Sequence, residues 1–202
     1  MSPPASRFGA EWNSVMEGVC RIVCSGLALS LVLAAASEAV AQGGRITREE
    51  ALKAVFPGAV VESERVFLTG QQMMRVAELA GVEVESGLVA RYVATRDQTV
   101  LGRAYVDTHT VRTKRESLLI SLDAEGAVKR IDVTAFLEPP GYLASERWLR
   151  QYEQRRLDDD LALRRAIRPI AGATLTATAT NVAVRRVLAI DRVLESVTQV
   201  RR

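Results

Sequence analysis

Cysteine is almost missing from this sequence: Cys20 and Cys24 are the two among 202 residues. Everything from Gln42 onward is therefore without thiols, which excludes a disulfide scaffold, a thiolate metal site and a cysteine nucleophile from that part of the chain. Histidine is scarcer still, with His109 alone. Ser-His or His-pair catalysis would have to run through that one ring, and no nucleophile-elbow, His-Glu-x-x-His, Walker or Gly-x-Gly-x-x-Gly pattern accompanies it. An ordinary strand or loop position is the expectation for His109. Aromatic residues make up 5% of the chain, and a net charge of +3 comes from basic and acidic groups that are interspersed. Basic residues are not clustered with aromatics, so no nucleic-acid partner is expected. Internal repeats and low-complexity linkers are absent as well.

What is present begins with an apolar run from Ile22 to Ala36, preceded by Arg21 and followed by Ala39-Val40-Ala41. A basic residue, a short apolar stretch and a small-x-small site have the form of a secretory signal, and the run is short for a bilayer span. Residues 1–41 are thus expected to be a signal peptide, with a retained N-terminal anchor as the alternative. The mature chain would start at Gln42 and lie in the periplasm or elsewhere outside the cytoplasm, membrane-associated if the anchor remains. Residues 42–202 are enough for one core, hence one domain.

Local patterns give that domain its outline. Thr47 and Glu50 have capping-box spacing ahead of a short helix through Val55, which Pro57-Gly58 ends. Alternating or β-branched runs at Val60 to Leu68, Leu88 to Thr95, Val100 to Asp107, Ser117 to Leu122 and Val128 to Thr134 read as strands. Asp123-Ala124-Glu125-Gly126 reads as a hairpin turn with Gly126 at positive φ. The segment Gln72 to Ala80 fits a short helix or a poorly paired strand. Ser145 is a helix cap ahead of the stripe Trp148, Leu149 and Tyr152, and a second short helix is expected from near Asp159 to just before Pro169. A final amphipathic helix from about Ala177 towards Val200 carries Ala183, Val187, Ile190, Leu194 and Val197 on one face. Strands in series followed by helices predict an α+β fold, an antiparallel meander with helices packed on it.

The chemistry-bearing stretch is Ala171-Gly172-Ala173-Thr174-Leu175-Thr176, directly before that last helix. A helix N-terminus offers amide groups without intrahelical acceptors and the positive end of the dipole, which together suit a phosphate. Gly172 permits close backbone approach, Ala173 leaves it unobstructed, and Thr174 supplies a hydroxyl that can bond to a phosphate or be esterified by it. The plainer role for Thr174 or Thr176 is to cap the helix.

The segment resembles the FMN-binding domain family that includes the G subunit of the Rnf complex and the C subunit of the sodium-translocating NADH:quinone reductase. In that family a Ser/Thr-Gly-Ala-Thr segment accepts FMN through a phosphoester on its last threonine, which here is Thr174, and Thr176 and the helix continue the pattern. A second family element, Glu-x-Pro-Gly, stands about thirty-five residues upstream as Glu138-Pro139-Pro140-Gly141. The opening Glu49 to Ala59, with its Phe56-Pro57, looks like the start of such domains. The resemblance spans residues 46–192, with the motif-bearing core at about 85–192. It departs from the family pattern at Arg168, where an acidic residue is usual, at Ala171, where a hydroxyl is usual, and at Tyr142-Leu143, where Leu-Gly is usual.

What the resemblance implies is an extracytoplasmic electron carrier, rather than a stand-alone enzyme, with FMN as cofactor. Thr174 would hold it covalently; Gly172, Ala173, Leu175, Thr176, Glu138, Gly141 and Tyr142 would contact it. No residue is nominated as catalytic or as a metal ligand. A flavin transferase would mature the protein, and membrane or extracytoplasmic redox proteins would be its partners. Arg168 could add a charge-assisted contact to the flavin phosphate, and Tyr142 or Trp148 could edge the isoalloxazine, although core packing is the plainer role for Trp148. Asp158-Asp159-Asp160 reads as a solvated turn rather than a cation site. The departures at Arg168 and Ala171 favour the alternative, a flavin-free secreted binding or accessory domain of the same fold.

Overall fold

The structure, a computed structural model, describes residues 46–200, with side chains as far as residue 196. The expected signal peptide at 1–41 lies outside the described residues. Helix α1 is Arg48–Val55, and its capping box is formed: the Glu50 amide donates to the Thr47 hydroxyl and the Thr47 amide to the Glu50 carboxylate. Five strands follow, β1 Val60–Phe67, β2 Leu88–Arg96, β3 Thr99–Thr110, β4 Arg115–Asp123 and β5 Val128–Phe136. They pair in sequence order, each antiparallel to the next. The expected α+β meander is present, and each expected strand falls within a residue or a few of an observed one.

The undecided segment between β1 and β2 is helix α2, Gly70–Ala80. Thr69 and Gln72 form a second capping box, and Gly81 ends the helix in the left-handed conformation at φ 66°. These end signals decide the matter, because the intervening Met and Gln residues suit either structure. The β2–β3 turn places Asp97 and Gln98 both at positive φ, the primed-turn geometry that matches strand twist. Gly126 takes φ 79° in the β4–β5 turn, where the Asp123 carboxylate accepts the amides of Glu125 and Ala127.

Helix α1 covers one face of the sheet. Ala51, Leu52, Val55 and the following Phe56 pack against Ala94, Ala104 and Leu119. Gly102 makes this possible, since a Cβ there would collide with the Phe56 ring and the Leu122 carbonyl. The other face carries the larger core, built from Tyr105, Leu118, Ile120, Leu122, Val128 and Ile131 beneath α2, the short helix α3 at Glu146–Leu149 and the long helix α4 at Thr174–Val200. Ser145 caps α3 as expected, and Trp148 meets Tyr152 edge to face at 5.6 Å. Ala183, Val187, Ile190 and Leu194 of α4 are buried, whereas the Val197 side chain lies outside the described residues.

The helix expected between Asp159 and Pro169 does not form. The Asp158 carboxylate accepts the Leu161 amide, the Asp160 carbonyl accepts those of Ala162 and Ala166, and Arg164 sits at φ 66°, so the chain turns back on itself. A short aspartate that captures a nearby amide competes with helix, and a left-handed residue ends any that starts. Among the described residues no helix is long and apolar enough to cross a membrane.

Candidate functional site

Helix α4 begins at Thr174, earlier than its apolar periodicity shows. Its first backbone bond runs from the Ala177 amide to the Ala173 carbonyl, 3.1 Å. The amides of Thr174, Leu175 and Thr176 therefore have no intrahelical acceptor, and neither threonine is the cap; Ala173 holds that position. Gly172, at φ 78°, makes the turn into the helix, with the Ala173 amide bonded back to the Ile170 carbonyl. The two threonines have different environments. Thr174 is exposed, while Thr176 is 1% exposed and its hydroxyl donates to the Tyr142 carbonyl at 2.8 Å. Thr174 thus keeps an uncommitted hydroxyl; Thr176 does not.

That bond joins the two motifs. Tyr142 ends the 3₁₀ turn Pro140–Tyr142 that follows Glu138-Pro139. Glu138 is nearly buried and its Oε1 accepts the amides of Thr113 and Lys114, both at 2.7 Å, and that of Arg112 at 3.3 Å. The Thr113 and Lys114 amides hold its carboxyl below the usual carboxylate range. Glu138 is thereby the brace of the β3–β4 turn.

A cavity of about 310 Å³ lies where these pieces meet, lined by Val111, Arg112, Glu138, Tyr142 and Gly172 through Thr176. Of the residues nominated from sequence, Thr174, Gly172, Ala173, Leu175, Thr176, Glu138 and Tyr142 line it. Gly141 lies in the turn between two lining residues but not in the lining. Val111 and Arg112 are additions that the sequence reading missed. Nothing in the local pattern signals that the β3–β4 turn folds over the helix entry, where the Glu138 brace and the Val111–Lys114 backbone bond hold it. The Arg112 side chain is exposed and forms no ion pair among the described residues.

Trp148 and Arg168 are elsewhere. The Trp148 indole N–H donates to the Arg168 carbonyl at 2.6 Å, the Gln151 side chain accepts the Arg168 amide, and these residues line a separate groove. Arg168 is thus not among the groups around Thr174, and Trp148 packs on Tyr152 instead of bordering that cavity. Among the described residues no group of His, Cys, Asp and Glu could hold a metal ion, the three aspartates at 158–160 included.

His109 occupies a strand position, as expected, and belongs to a polar ladder that the sequence did not show. Arg103, Tyr105, Asp107 and His109 alternate along β3 and all turn towards α4. Asp191 of α4 accepts Arg103 Nε at 2.6 Å and the Tyr105 hydroxyl at 2.8 Å; Arg186 meets Asp107 through two bonds of 2.8 and 2.9 Å. His109 bridges Asp107, 2.9 Å from Nδ1, and the fully buried Glu116, 3.1 Å from Nε2. Burial opposes its positive charge, but hydrogen bonds and charge from the two carboxylates outweigh that and raise it to about 9. The bonds among Asp107, His109, Glu116 and Arg186 tie α4 to the sheet. A scan against protein-family models and a search of curated proteins both find no match to this chain.

Proposed function

We propose that this chain is an extracytoplasmic FMN-binding electron-transfer protein whose flavin is carried on Thr174 through a phosphoester. The observation that carries the proposal is convergence: Glu138 to Tyr142 and Gly172 to Thr176, remote in sequence, line one cavity and are tied by the Thr176–Tyr142 bond. The lining suits a flavin phosphate at one end. Three amides at the start of α4 and the Arg112 guanidinium are anion donors, and the Thr174 hydroxyl is exposed beside them. Val111, Leu175 and Tyr142 provide apolar surface for a ring system, and a volume of about 310 Å³ is at the small end for a ligand site, which suits partial enclosure.

Bound FMN would supply one- and two-electron chemistry; the chain would attach, orient and shield it. Glu138 serves by holding the 112–114 turn over the helix entry, and Gly172 by letting the backbone turn close to the phosphate. Arg168, pointing into a different groove, leaves the surroundings of Thr174 unaffected by its departure from the family pattern. Thr176 is unsuited to be the acceptor because its hydroxyl is buried and bonded. A flavin transferase would install the cofactor, and membrane or extracytoplasmic redox proteins would exchange electrons with it.

The test is co-expression of the exported protein with a flavin transferase. The peptide containing Thr174 should gain the mass of FMN less one water, and Thr174→Ala should abolish flavin fluorescence in a denaturing gel while Thr176→Ala retains it. An unmodified peptide in a protein that also fails to bind free FMN in a titration would leave the flavin-free accessory domain in its place.

A further inference from the structure

A second groove, about 520 Å³, is lined by Ser145, Arg147, Trp148, Gln151, Arg155, Ala166, Arg168 and Pro169. Its charge is of one sign: three arginines line it and no carboxylate does. All three are exposed, and none of their side chains forms a hydrogen bond or ion pair among the described residues. Other arginines have partners, whereas the Arg112 side chain beside the Thr174 cavity has none among the described residues. Arg91, Arg103, Arg130 and Arg186 meet carboxylates, while Arg185 and Arg192 meet backbone carbonyls.

The walls are fixed before any ligand arrives. Trp148 and Gln151 clasp the backbone of Arg168 from both sides, with bonds of 2.6 and 2.9 Å, and the Arg155 carbonyl accepts the Val128 amide of β5 at 2.8 Å. Guanidinium forks that lack an internal acceptor match planar carboxylates, which they bind through paired hydrogen bonds. We propose that this groove docks a carboxylate-rich segment of a partner protein. The Trp148 indole N–H is already committed to the Arg168 carbonyl, so it is not free to anchor in lipid headgroups.

The groove is linked along the chain to the cavity around Thr174. Ser145 and Arg168 line the one, Tyr142 and Gly172 the other, so two short chain segments run from groove to cavity. A partner seated there would be brought near the proposed flavin, but docking itself requires no flavin.

The experiment titrates a fluorescein-labelled peptide of alternating Glu and Gly into the full chain at low ionic strength. Three proteins are compared: wild type, the Arg147→Gln/Arg155→Gln/Arg168→Gln triple variant, and a charge-matched Lys53→Gln/Arg65→Gln/Lys129→Gln control. The groove variant should bind at least tenfold more weakly, and the control within about twofold of wild type. Arg147→Lys/Arg155→Lys/Arg168→Lys keeps the charge but not the fork and should fall between. Thr174→Ala should bind the peptide like wild type, which separates this inference from the flavin proposal. Equal loss in the groove variant and the control would overturn the proposal, as would absence of peptide binding by wild type. So would tighter binding of wild type to anionic phospholipid vesicles or to a DNA oligonucleotide than to the peptide.

Discussion

The Thr176 hydroxyl donates to the Tyr142 carbonyl across 2.8 Å, and this one bond ties the first turn of α4 to the Pro-Gly turn thirty-four positions earlier. Both walls of the Thr174 cavity are set by it, since the turn carries Tyr142 and the helix carries the unpaired amides. A threonine in the first turn of a helix ordinarily looks inward or caps. Here it reaches sideways, because Ala173 begins the helix and leaves Thr176 facing the neighbouring turn.

Replacing Thr176 by Val keeps the shape and removes the bond. A net hydrogen-bond contribution of about 1 kcal/mol predicts a fall of roughly 2–4 °C in Tm. The effect on binding should be larger than on stability if the two walls part. Free FMN affinity, measured by fluorescence quenching, should drop in Thr176→Val even though the Thr174 hydroxyl is untouched. Unchanged affinity would mean that the walls hold their spacing without this bond.

The strands and α1 were readable in the sequence because their signals are local: β-branched runs, alternating burial, and the Thr47–Glu50 box. Helix α2 was open between two readings until Thr69–Gln72 and Gly81 are seen as its two ends. The segment around Asp158 to Arg168 was misread because its composition suits a helix, whereas a side-chain-to-amide bond at Asp158 and a left-handed Arg164 are invisible to periodicity. In the site, Thr174 and Glu138 were found through motif resemblance, but Arg112 depends on how one turn folds over another. The β3 ladder was missed for a related reason. Arg103, Tyr105, Asp107 and His109 have the period of a solvent face, and only the matching Arg186 and Asp191 on α4 turn that face inward.

That ladder supports a prediction about stability. The Arg103 and Asp191 side chains are each 5% exposed, and Asp191 also accepts the Tyr105 hydroxyl. Arg103 also meets Glu195 at 3.6 Å and the Ala124 carbonyl at 3.2 Å, so Asp191→Ala should cost about 3 kcal/mol, the low end for a broken buried pair, whereas Arg103→Met combined with Asp191→Leu should recover much of the loss. Urea unfolding of the single and double variants measures the coupling directly. Additive losses would show that water already solvates the pair.

His109 gives the stability a pH dependence. Its pKa in the folded chain, about 9, lies above the unperturbed 6.5, so the folded state holds the proton more tightly. The stabilisation is therefore fully present below about pH 6.5 and is lost as pH rises through about 9, a difference on the order of 3 kcal/mol for the isolated linkage. The gap in unfolding free energy between wild type and His109→Gln should be widest below about pH 6.5, shrink through neutral pH and close above pH 9. As the only histidine of the chain, its ring resonances can be followed without assignment. A midpoint near 6.5 would mean that Asp107 and Glu116 do not hold the imidazolium.

Arg112 separates a phosphate contact from a merely structural loop. Arg112 lines the Thr174 cavity and its side chain has no carboxylate partner among the described residues; a charge-assisted hydrogen bond is worth about 1.5–3 kcal/mol, which corresponds to roughly ten- to hundredfold in affinity. Arg112→Ala should therefore weaken binding of FMN by about tenfold or more, with Arg112→Lys intermediate, and the deficit should shrink as salt is added. Riboflavin, which has no phosphate, should bind wild type and Arg112→Ala alike. Glu138→Ala acts one step further back: it frees the amides of Arg112, Thr113 and Lys114, so it should raise their hydrogen-exchange rates and weaken FMN through the loss of Arg112 placement. Combining Glu138→Ala with Arg112→Ala should then cost little more than Arg112→Ala alone, because both remove the same contact. Fully additive losses, or equal losses for riboflavin and FMN, would remove Arg112 from the phosphate site and leave Glu138 as a fold element only.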